Sequence, residues 1–451
     1  MTSPASRPPD RPTTVERRDA FRFWLKLGLI SFGGPAGQIA IMHAELVERR
    51  RWISERRFLH ALNYCMLLPG PEAQQLATYI GWLMHRTWGG LVAGGLFVLP
   101  SLMILIALSW IYAAFGTQPL VAGMFHGIKP AVTAIVLHAA HRIGGRVLRN
   151  GWLWAIAVAA FLAIAILDTP FPLIVLAAAG LGVIGARLSP GAFSGMAHST
   201  ATPEGHGPAL IDDDTPAPAH ARFTRGRLLR VVGVGLGLWL VAMGGLVALW
   251  GVDGALTRMG GFFTKAALMT FGGAYAVLPY VVQGAVDQYH WLSAPQMIDG
   301  LALGETTPGP LIMVVAFVGF MGGWNLQLLG PETPFLAGAL AAAVVTFFTF
   351  LPSFVLVLAG GPLIESTRGN LRLSAPLTAI SAAVVGVIVN LACFFAGHVF
   401  WPGGPAGGVD LPAMLIAVGA AVALFRFKWG VLPVLGVCAA IGLAWSLVAG
   451  V

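Results

Sequence analysis

One stretch occurs twice in the chain, and this repetition decides the fold that we predict. Residues 23–34 read FWLKLGLISFGG and lead on to LPGPE at 68–72, while residues 262–273 read FFTKAALMTFGG and lead on to TPGP at 307–310. Matching positions are 239 residues apart (265−26, 308−69), so no gap interrupts the match. Two copies of one unit, each with a lysine in an apolar run and two Gly/Pro breaks, indicate a membrane transporter built from internal repeats.

The composition is that of a protein with many membrane crossings. Of the 451 residues, 57% are hydrophobic and only 10% are charged, whereas soluble proteins carry about 25% charged residues. A net charge of +8 suggests nucleic acid in a soluble domain, but excess arginine also collects in the cytoplasmic loops of membrane proteins. The cysteines Cys65, Cys393 and Cys438 form no spacing motif. We therefore expect no nucleic-acid partner, no disulfide framework and no zinc site.

We predict an all-α polytopic membrane protein with two inverted-topology repeats and broken, re-entrant helices. The pieces 19–32, 35–48, 55–68 and 72–86 are each about 21 Å long as helices, too short for a hydrocarbon core of about 30 Å. The predicted division is a disordered cytoplasmic tail at 1–18, a first repeat at 19–187, a mobile cytoplasmic linker at 188–228, a topology-inverting transmembrane helix at 229–250 and a second repeat at 251–451.

The basic residues support this topology. With the N-terminus in the cytoplasm and each broken hairpin returning to its own side, 23 of the 27 Lys and Arg residues are cytoplasmic. The loop at 49–57 carries five arginines, and its counterpart at 275–290 has no Lys or Arg. Opposite orientations predict this asymmetry. The first repeat has four membrane crossings, and the span at 229–250 adds a fifth. The second repeat therefore starts from the other side of the membrane.

Three of the four lysines, Lys26, Lys129 and Lys265, lie in apolar runs. A lysine at membrane depth is costly and usually functional, although one near a helix end can extend its amine to the interface. Lys129 is in mid-span, where such extension is harder. Three buried cations with few buried acids indicate a negatively charged ligand.

The Gly-Gly and Pro-Gly-Pro breaks supply the other parts of an anion site. A half-helix that begins after a break presents unpaired N–H groups and the positive end of its dipole. Tight packing of small residues is the alternative interpretation of a single break, but these breaks recur in register. Together with the lysines, the predicted substrate-binding residues are Ser31, Gly33, Gly34, Pro69, Gly70, Pro71, Thr270, Gly272, Gly273, Thr306, Thr307 and Gly309.

Two acids beside the breaks, Glu72 and Glu305, are candidate proton carriers because burial favours the protonated form of a carboxyl group. They are not equivalent positions of the repeat, since the counterpart of Glu305 (305−239) is Met66. Glu72 also fits a second interpretation, as a residue that caps a helix N-terminus. The predicted polar lining residues are Asn63, Gln74, Gln75 and Asn390.

His138 and His141 lie three residues apart beside Arg142. This spacing permits a metal site, but an interfacial helix end accounts for it better. The sequence has no HExxH motif, no Gly-rich P-loop and no nucleophile elbow. We therefore predict no metal, no cofactor and no enzymatic activity.

At these residues the chain resembles the chromate ion transporter family, of the long, two-domain type. The motifs that carry the resemblance are FGG at 32–34, LPGPEAQQL at 68–76, GIKP at 127–130 and GETTPGP at 304–310. The resemblance covers nearly all of the chain from residue 19. It implies chromate export from the bacterial cytoplasm through the inner membrane, with sulfate as a related anion and chromate resistance as the result.

The residues alone indicate only an oxyanion transporter, and a permease, exchanger or channel for sulfate or another oxyanion is the alternative. A membrane-embedded enzyme is a further alternative, which lacks support because no catalytic spacing of His or acidic residues occurs. The expected partners are a chromate- or sulfate-type oxyanion and the lipid bilayer, and a homodimer is allowed. A dianion that leaves a negative cytoplasm gains about 4.6 kcal/mol per 100 mV, so we expect export driven by the membrane potential or the proton motive force.

Overall fold

The computed structural model describes residues 15–32, 34–188, 193, 208–216, 218–271, 273–366, 374–404 and 408–449. Within this part the fold is all-α. The helices are α1 Arg17–Ile30, α2 Gly34–His43, α3 Glu55–Cys65, α4 Glu72–Phe115, α5 Pro119–Val147, α6 Gly151–Leu167, α7 Phe171–Leu188, α8 Arg225–Trp250, α9 Ala255–Leu268, α10 Ala274–Val282, α11 Ala294–Thr306, α12 Val314–Asn325, α13 Pro334–Ser366, α14 Ser374–Phe400, α15 Leu411–Phe425 and α16 Val431–Ala449.

The predicted broken helices are present at the predicted places. Helix α1 ends at Ile30 and α2 begins at Gly34, while α9 ends at Leu268 and α10 begins at Ala274, so a helix ends shortly before each Gly-Gly motif and the next begins at its second glycine or just after it. Helix α4 contains a further interruption at His85 and Arg86, whose φ angles are −132° and 57°. The first part of α4 is therefore a short half-helix, and its second part is a full span.

The backbone repeats the same irregularities at equivalent positions. A π-helical turn follows α2 at Ala44–Arg49 and follows α10 at Gln283–Gln288, at the offset of 239 residues (283−44). Left-handed backbone also recurs, with φ of 72° at Gly34 and 97° at Gly273, and 128° at Gly70 and 110° at Gly309. Because irregular turns depend on local sequence, this correspondence shows that the broken segments of the two repeats have the same backbone conformation.

The two repeats exchange helices. Helices α6 and α7 of the first repeat pack on α14 of the second, while α15 and α16 of the second pack on α5 of the first. Helix α1 packs on α4 in the same way that α9 packs on α13. Reciprocal packing of this kind is what a two-fold relation produces. The inverted orientation of the repeats in the membrane stays a prediction.

Seven of the described helices are long and apolar enough to cross a membrane, and three shorter apolar helices accompany them. Helix α8 is the least buried of the seven, with 11% of its apolar window covered by protein. Its main packing partners are α9 and α13, and most of its surface is free to face lipid. A peripheral helix of this kind fits the role predicted for residues 229–250 as an added crossing between the repeats.

The second half of the linker differs from the mobile segment that we predicted. Ile211 forms a parallel bridge with Ile53, and the Ser54 hydroxyl donates to Asp213 at 2.8 Å. Arg57 donates to the Thr215 carbonyl oxygen at 2.9 Å. The described linker residues thus bind the loop and helix that follow the first π turn. The correction has a physical reason, since short runs of backbone and side-chain hydrogen bonds can order a polar segment that lacks its own core.

Candidate functional site

The Pro-Gly-Pro break of each repeat binds the Gly-Gly break of the other. The Gly70 N–H donates to the Thr270 carbonyl oxygen at 2.8 Å, and the Gly309 N–H donates to the Ser31 carbonyl oxygen at 2.8 Å. Gln38, which is buried, also donates to the Gly309 carbonyl oxygen at 2.5 Å. The breaks therefore meet at the interface between the repeats, and each break satisfies backbone groups that the other leaves open.

Glycine is required at these two positions for two reasons. Both residues have positive φ, a region that is strained for residues with a Cβ. A Cβ on Gly70 would also lie 3.0 Å from the Ser353 hydroxyl, and a Cβ on Gly309 would lie 2.9 Å from the Ser101 hydroxyl. Ser353 of α13 and Ser101 of α4 thus pack against the Pro-Gly-Pro breaks of the opposite repeats.

The hydroxyl residues beside the breaks donate to their own helices. Ser31 donates to the Leu27 carbonyl oxygen at 2.6 Å, and Thr270 donates to the Ala266 carbonyl oxygen at 2.7 Å. Thr306 and Thr307 both donate to the carbonyl oxygen of Leu303. In this structure these hydroxyl protons hold the ends of half-helices, so the groups left to receive an anion are backbone N–H groups and cationic side chains.

A cavity of about 140 Å³ lies beside the two Gly-Gly breaks and the first Pro-Gly-Pro break. Its wall includes Glu72 at the start of α4, Gly273 at the start of α10, and Arg142 and Arg146 on one face of α5. The Glu72 carboxylate lies 3.5 Å from the position of a Cβ on Gly273. We call this space the inner cavity. It combines a helix N-terminus, two guanidinium groups and a carboxyl group, which is the chemistry of a protonation-sensitive anion site.

The second acid reaches the inner cavity through a tyrosine. Tyr275, which lines the cavity, donates its hydroxyl to the carboxylate of Glu305. Glu305 is 7% exposed, and the Arg142 guanidinium interacts electrostatically with both groups. Glu72 therefore lines the inner cavity directly, and Glu305 is connected to it through Tyr275.

The structure separates the three lysines. Lys26 and Lys265 are exposed on α1 and α9, and neither lines the inner cavity. Phe23, Trp24 and Leu27 form the buried face of α1 that packs on α4, so Lys26 points the other way. Lys129 is ion-paired with Asp299 at 3.3 Å and lines a different cavity. The predicted arrangement of three lysines around one anion is therefore not what the structure contains.

Three charged residues of these cavities were not among the sequence predictions of the site. Arg142 and Arg146 marked only the cytoplasmic membrane interface, because their distance from the breaks depends on how α5 packs. Asp299 carries a signal in the sequence, since it is one of two acids in a segment predicted to be embedded in the membrane. Its counterpart in the first repeat (299−239) is His60, so the repeat pattern gave no signal for it.

The remaining predicted residues have other surroundings. Gly33 and Gly272 lie outside the described residues. Gln74 accepts a hydrogen bond from Ser353 at 2.8 Å, and Gln75 donates to the Pro69 carbonyl oxygen at 2.8 Å, so both support the break at residues 69–71. Asn63 and Asn390 are half-buried.

His138 and His141 pack against the Phe425 ring, with centroid distances of 5.1 and 5.3 Å. This contact agrees with a structural role for the two residues at the end of α5. Across the described part of the chain, His, Cys, Asp and Glu form no cluster of three or more that could hold a metal ion.

Comparison with known proteins identifies the family of the chain. A family model described as chromate transporter matches residues 18–183 and 257–443, which together cover most of both repeats. The chain belongs to the chromate transporter family. This result confirms the resemblance seen in the sequence motifs. Together with the apolar helices, it makes the chain a multi-pass bacterial membrane protein.

Individual relatives match the chain over most of their own length. A chromate transport protein of Pseudomonas aeruginosa is 33% identical over 392 residues, covering 84% of this chain and 80% of that protein. A chromate transport protein of Cupriavidus metallidurans is 28% identical over 417 residues, covering 92% and 89%. An uncharacterized transporter of Bacillus subtilis is 28% identical over 140 residues, covering 31% of this chain and 71% of its own length. No solved structure matches the chain.

Proposed function

We propose that this protein exports chromate from the cytoplasm across the inner membrane and is not an enzyme. The observation that carries the proposal is the inner cavity, in which Arg142, Arg146 and the N-terminus of α10 converge on one space of about 140 Å³. The relatives named as chromate transport proteins supply the substrate. A water molecule takes up about 30 Å³, so the cavity has the volume of a few water molecules, which is enough for one anion with four oxygens.

The charges around the inner cavity suit a dianion. Arg142 and Arg146 contribute two positive charges, which chromate or sulfate would balance if Glu72 and Glu305 carry protons. Ionisation of either acid leaves an excess negative charge beside the anion and weakens its binding. Proton transfer at Glu72 or Glu305 is therefore the step that we assign to coupling with the proton motive force.

The proposed direction of transport is supported by where the inner cavity reaches the surface. Arg146 lines the cavity and is exposed, and the arginines from Arg142 to Arg149 are cytoplasmic in the predicted topology. Chromate in the cytoplasm therefore meets this cavity first, attracted by guanidinium groups. Once bound between the two sets of breaks, it lies at the junction of the repeats, where rocking of one repeat against the other gives alternating access.

Chromate and sulfate are both tetrahedral dianions, so the cavity discriminates weakly between them, and sulfate is a second expected substrate. The test uses inverted membrane vesicles, whose cytoplasmic face is outward, with labelled chromate or sulfate added outside. We expect uptake that requires this protein, that sulfate inhibits in competition with chromate, and that continues without ATP. Vesicles that take up neither anion above the level of empty membranes would contradict the proposal.

A further inference from the structure

A second, larger cavity lies at the other end of α5. Its volume is about 470 Å³, and its wall includes Lys129, Asp299, Tyr112 and Asn325. It shares no lining residue with the inner cavity. Lys129 and Arg142 are 13 residues apart on α5, or about 20 Å along a helix. We call this space the outer cavity, because the predicted topology places the turn between α4 and α5 outside the cell.

The acid in the wall of the outer cavity is held by two other helices. Asp299 on α11 is 2% exposed, and its Oδ2 atom accepts from the Tyr112 hydroxyl on α4 at 2.7 Å. The same oxygen lies 3.3 Å from the Lys129 amine on α5. The other oxygen, Oδ1, is buried and has no hydrogen-bond partner. A buried carboxylate with an unpaired oxygen is costly, so this geometry calls for a function beyond packing.

Lys129 faces the cavity while Asp299 neutralises it. The Lys129 side chain is 31% exposed, so its amine is within reach of an ion in the cavity. Near the mouth, His126 lies 3.9 Å from the carboxylate of Asp410. When His126 is neutral and both acids are ionised, the fixed charges are the Lys129 cation and the carboxylates of Asp299 and Asp410. This net negative charge does not favour the entry of an anion from outside. An anion that arrives from the inner cavity must instead compete with Asp299 for Lys129.

We propose that the outer cavity is an exit subsite for a tetrahedral oxyanion, in which Asp299 is a tethered competitor that releases the anion from Lys129. The proposal rests on the proposed oxyanion export. The departing dianion binds the Lys129 amine, and the return of the Asp299 carboxylate to the same amine displaces it. No covalent step is involved. Tyr112 is the positioning residue, because its hydroxyl holds Oδ2 beside the lysine.

The experiment places a competing anion on the exit side. Inverted vesicles are loaded with sulfate, so that it faces the outer cavity from the lumen, and the initial rate of labelled chromate uptake is measured. In the wild type, we expect lumenal sulfate to inhibit weakly. Asp299→Asn keeps the size of the side chain and an acceptor for Tyr112 but removes the competitor. We expect this variant to lower the half-inhibiting lumenal sulfate concentration at least tenfold.

Two further variants test whether the stronger inhibition in Asp299→Asn comes from sulfate bound at Lys129. The double variant Lys129→Gln with Asp299→Asn removes the binding cation as well, so its inhibition should return to the wild-type level or weaker. Asp253→Asn removes an acid that is 91% exposed at the start of α9, outside the cavity, and should leave the inhibition unchanged. Equal sensitivity in the wild type and Asp299→Asn would overturn the inference, as would strong inhibition of the double variant.

Failure of the inference can be separated from failure of the proposed function. Absence of chromate uptake by wild-type vesicles contradicts chromate export itself, whereas normal uptake with unchanged lumenal inhibition in Asp299→Asn contradicts only the exit subsite. If Asp299→Asn cannot be extracted as a monodisperse protein, Tyr112→Phe replaces it. Loss of the hydroxyl that holds Oδ2 beside Lys129 makes Asp299 a poorer competitor, so inhibition by lumenal sulfate should strengthen about threefold. No change in Tyr112→Phe would then overturn the inference.

Discussion

The amide of Gly70 and the carbonyl oxygen of Thr270 are joined by a hydrogen bond of 2.8 Å, and Gly309 is joined to Ser31 in the same way. In each case the donor belongs to the Pro-Gly-Pro break of one repeat and the acceptor to the Gly-Gly break of the other. Movement of one break therefore strains or breaks a bond that the other needs. This reciprocal link couples the two half-helix hairpins at the site where we place the anion.

The first prediction concerns the glycines of these links. Gly70→Ala and Gly309→Ala should each lose most chromate uptake and be less stable by about 2 kcal/mol or more, because an alanine with positive φ is strained. Its Cβ would also lie 2.6 Å from Gln75 Nε2 or 2.7 Å from Ser101 Cβ. The measurements are uptake in vesicles and thermal unfolding in detergent. Gly95→Ala is the control, since a Cβ there meets nothing within 4 Å, and its stability should not fall.

The second prediction concerns Arg142. Arg142→Ala should raise the half-saturating chromate concentration by one to two orders of magnitude, because a hydrogen bond to a charged group contributes about 1.5–3 kcal/mol. Arg142→Lys should recover part of the affinity, since lysine keeps the charge but not the planar fork. Arg149→Ala is the matched control on the same stretch, and its side chain donates to the Arg146 carbonyl oxygen instead. Unchanged affinity in Arg142→Ala would remove the inner cavity as the binding site.

The third prediction distinguishes the structural site from the one that the sequence alone suggested. Three lysines around one anion predict that Lys26→Ala, Lys129→Ala and Lys265→Ala all abolish transport. Because Lys26 and Lys265 are exposed and lie on the outward faces of α1 and α9, we expect these two variants to keep uptake within about twofold of the wild type. The measurement is initial uptake at equal protein content of the membrane. Abolished uptake in both variants would restore the shared lysine site.

The difference between sequence and structure has a physical origin. The breaks at Gly34 and Gly70 could be predicted because glycine and proline act locally, by their own backbone preferences. Arg142 could not be placed at the breaks, because its position depends on how α5 packs among helices that are distant in sequence. The three lysines could be recognised as costly in an apolar run, but the direction of each side chain depends on which face of its helix is buried. The sequence therefore shows that a lysine lies in an apolar segment, but only the packing of the helices shows where its side chain points.

The fourth prediction concerns pH and the docked linker. The His220 Nε2–H donates to the Trp82 carbonyl oxygen at 3.0 Å, and burial lowers the pKa of His220, with nearby Arg227 and Arg86 acting in the same direction. A lowered pKa means that the docked linker prefers neutral histidine, so docking is fully stable above the unperturbed value of about 6.5 and weakens as the pH falls below it. Hydrogen-exchange protection factors of residues 218–224 should therefore drop between pH 7.5 and pH 5.5. His220→Gln, which keeps a donor without a charge, should lose this dependence, and an equal drop in that variant would contradict the assignment.

The last prediction concerns the driving force. A dianion moving outward across 100 mV, negative in the cytoplasm, gains about 4.6 kcal/mol, and cations that stay in place, such as Arg142, do not cancel this gain. We therefore expect chromate flux in vesicles clamped with potassium and valinomycin to rise steeply with a potential of the physiological sign. Glu305→Gln keeps an acceptor for Tyr275 but cannot exchange a proton. If Glu305 rather than Glu72 carries the coupled proton, this variant should retain the response to potential and lose the response to a pH gradient. Exchange for an external dianion is electroneutral and indifferent to potential. Flux that stays constant between zero and about 100 mV, a span of roughly 4.6 kcal/mol for a dianion, would therefore reject electrogenic export and favour exchange. Under exchange, the outer cavity would bind the incoming anion as well as release the outgoing one.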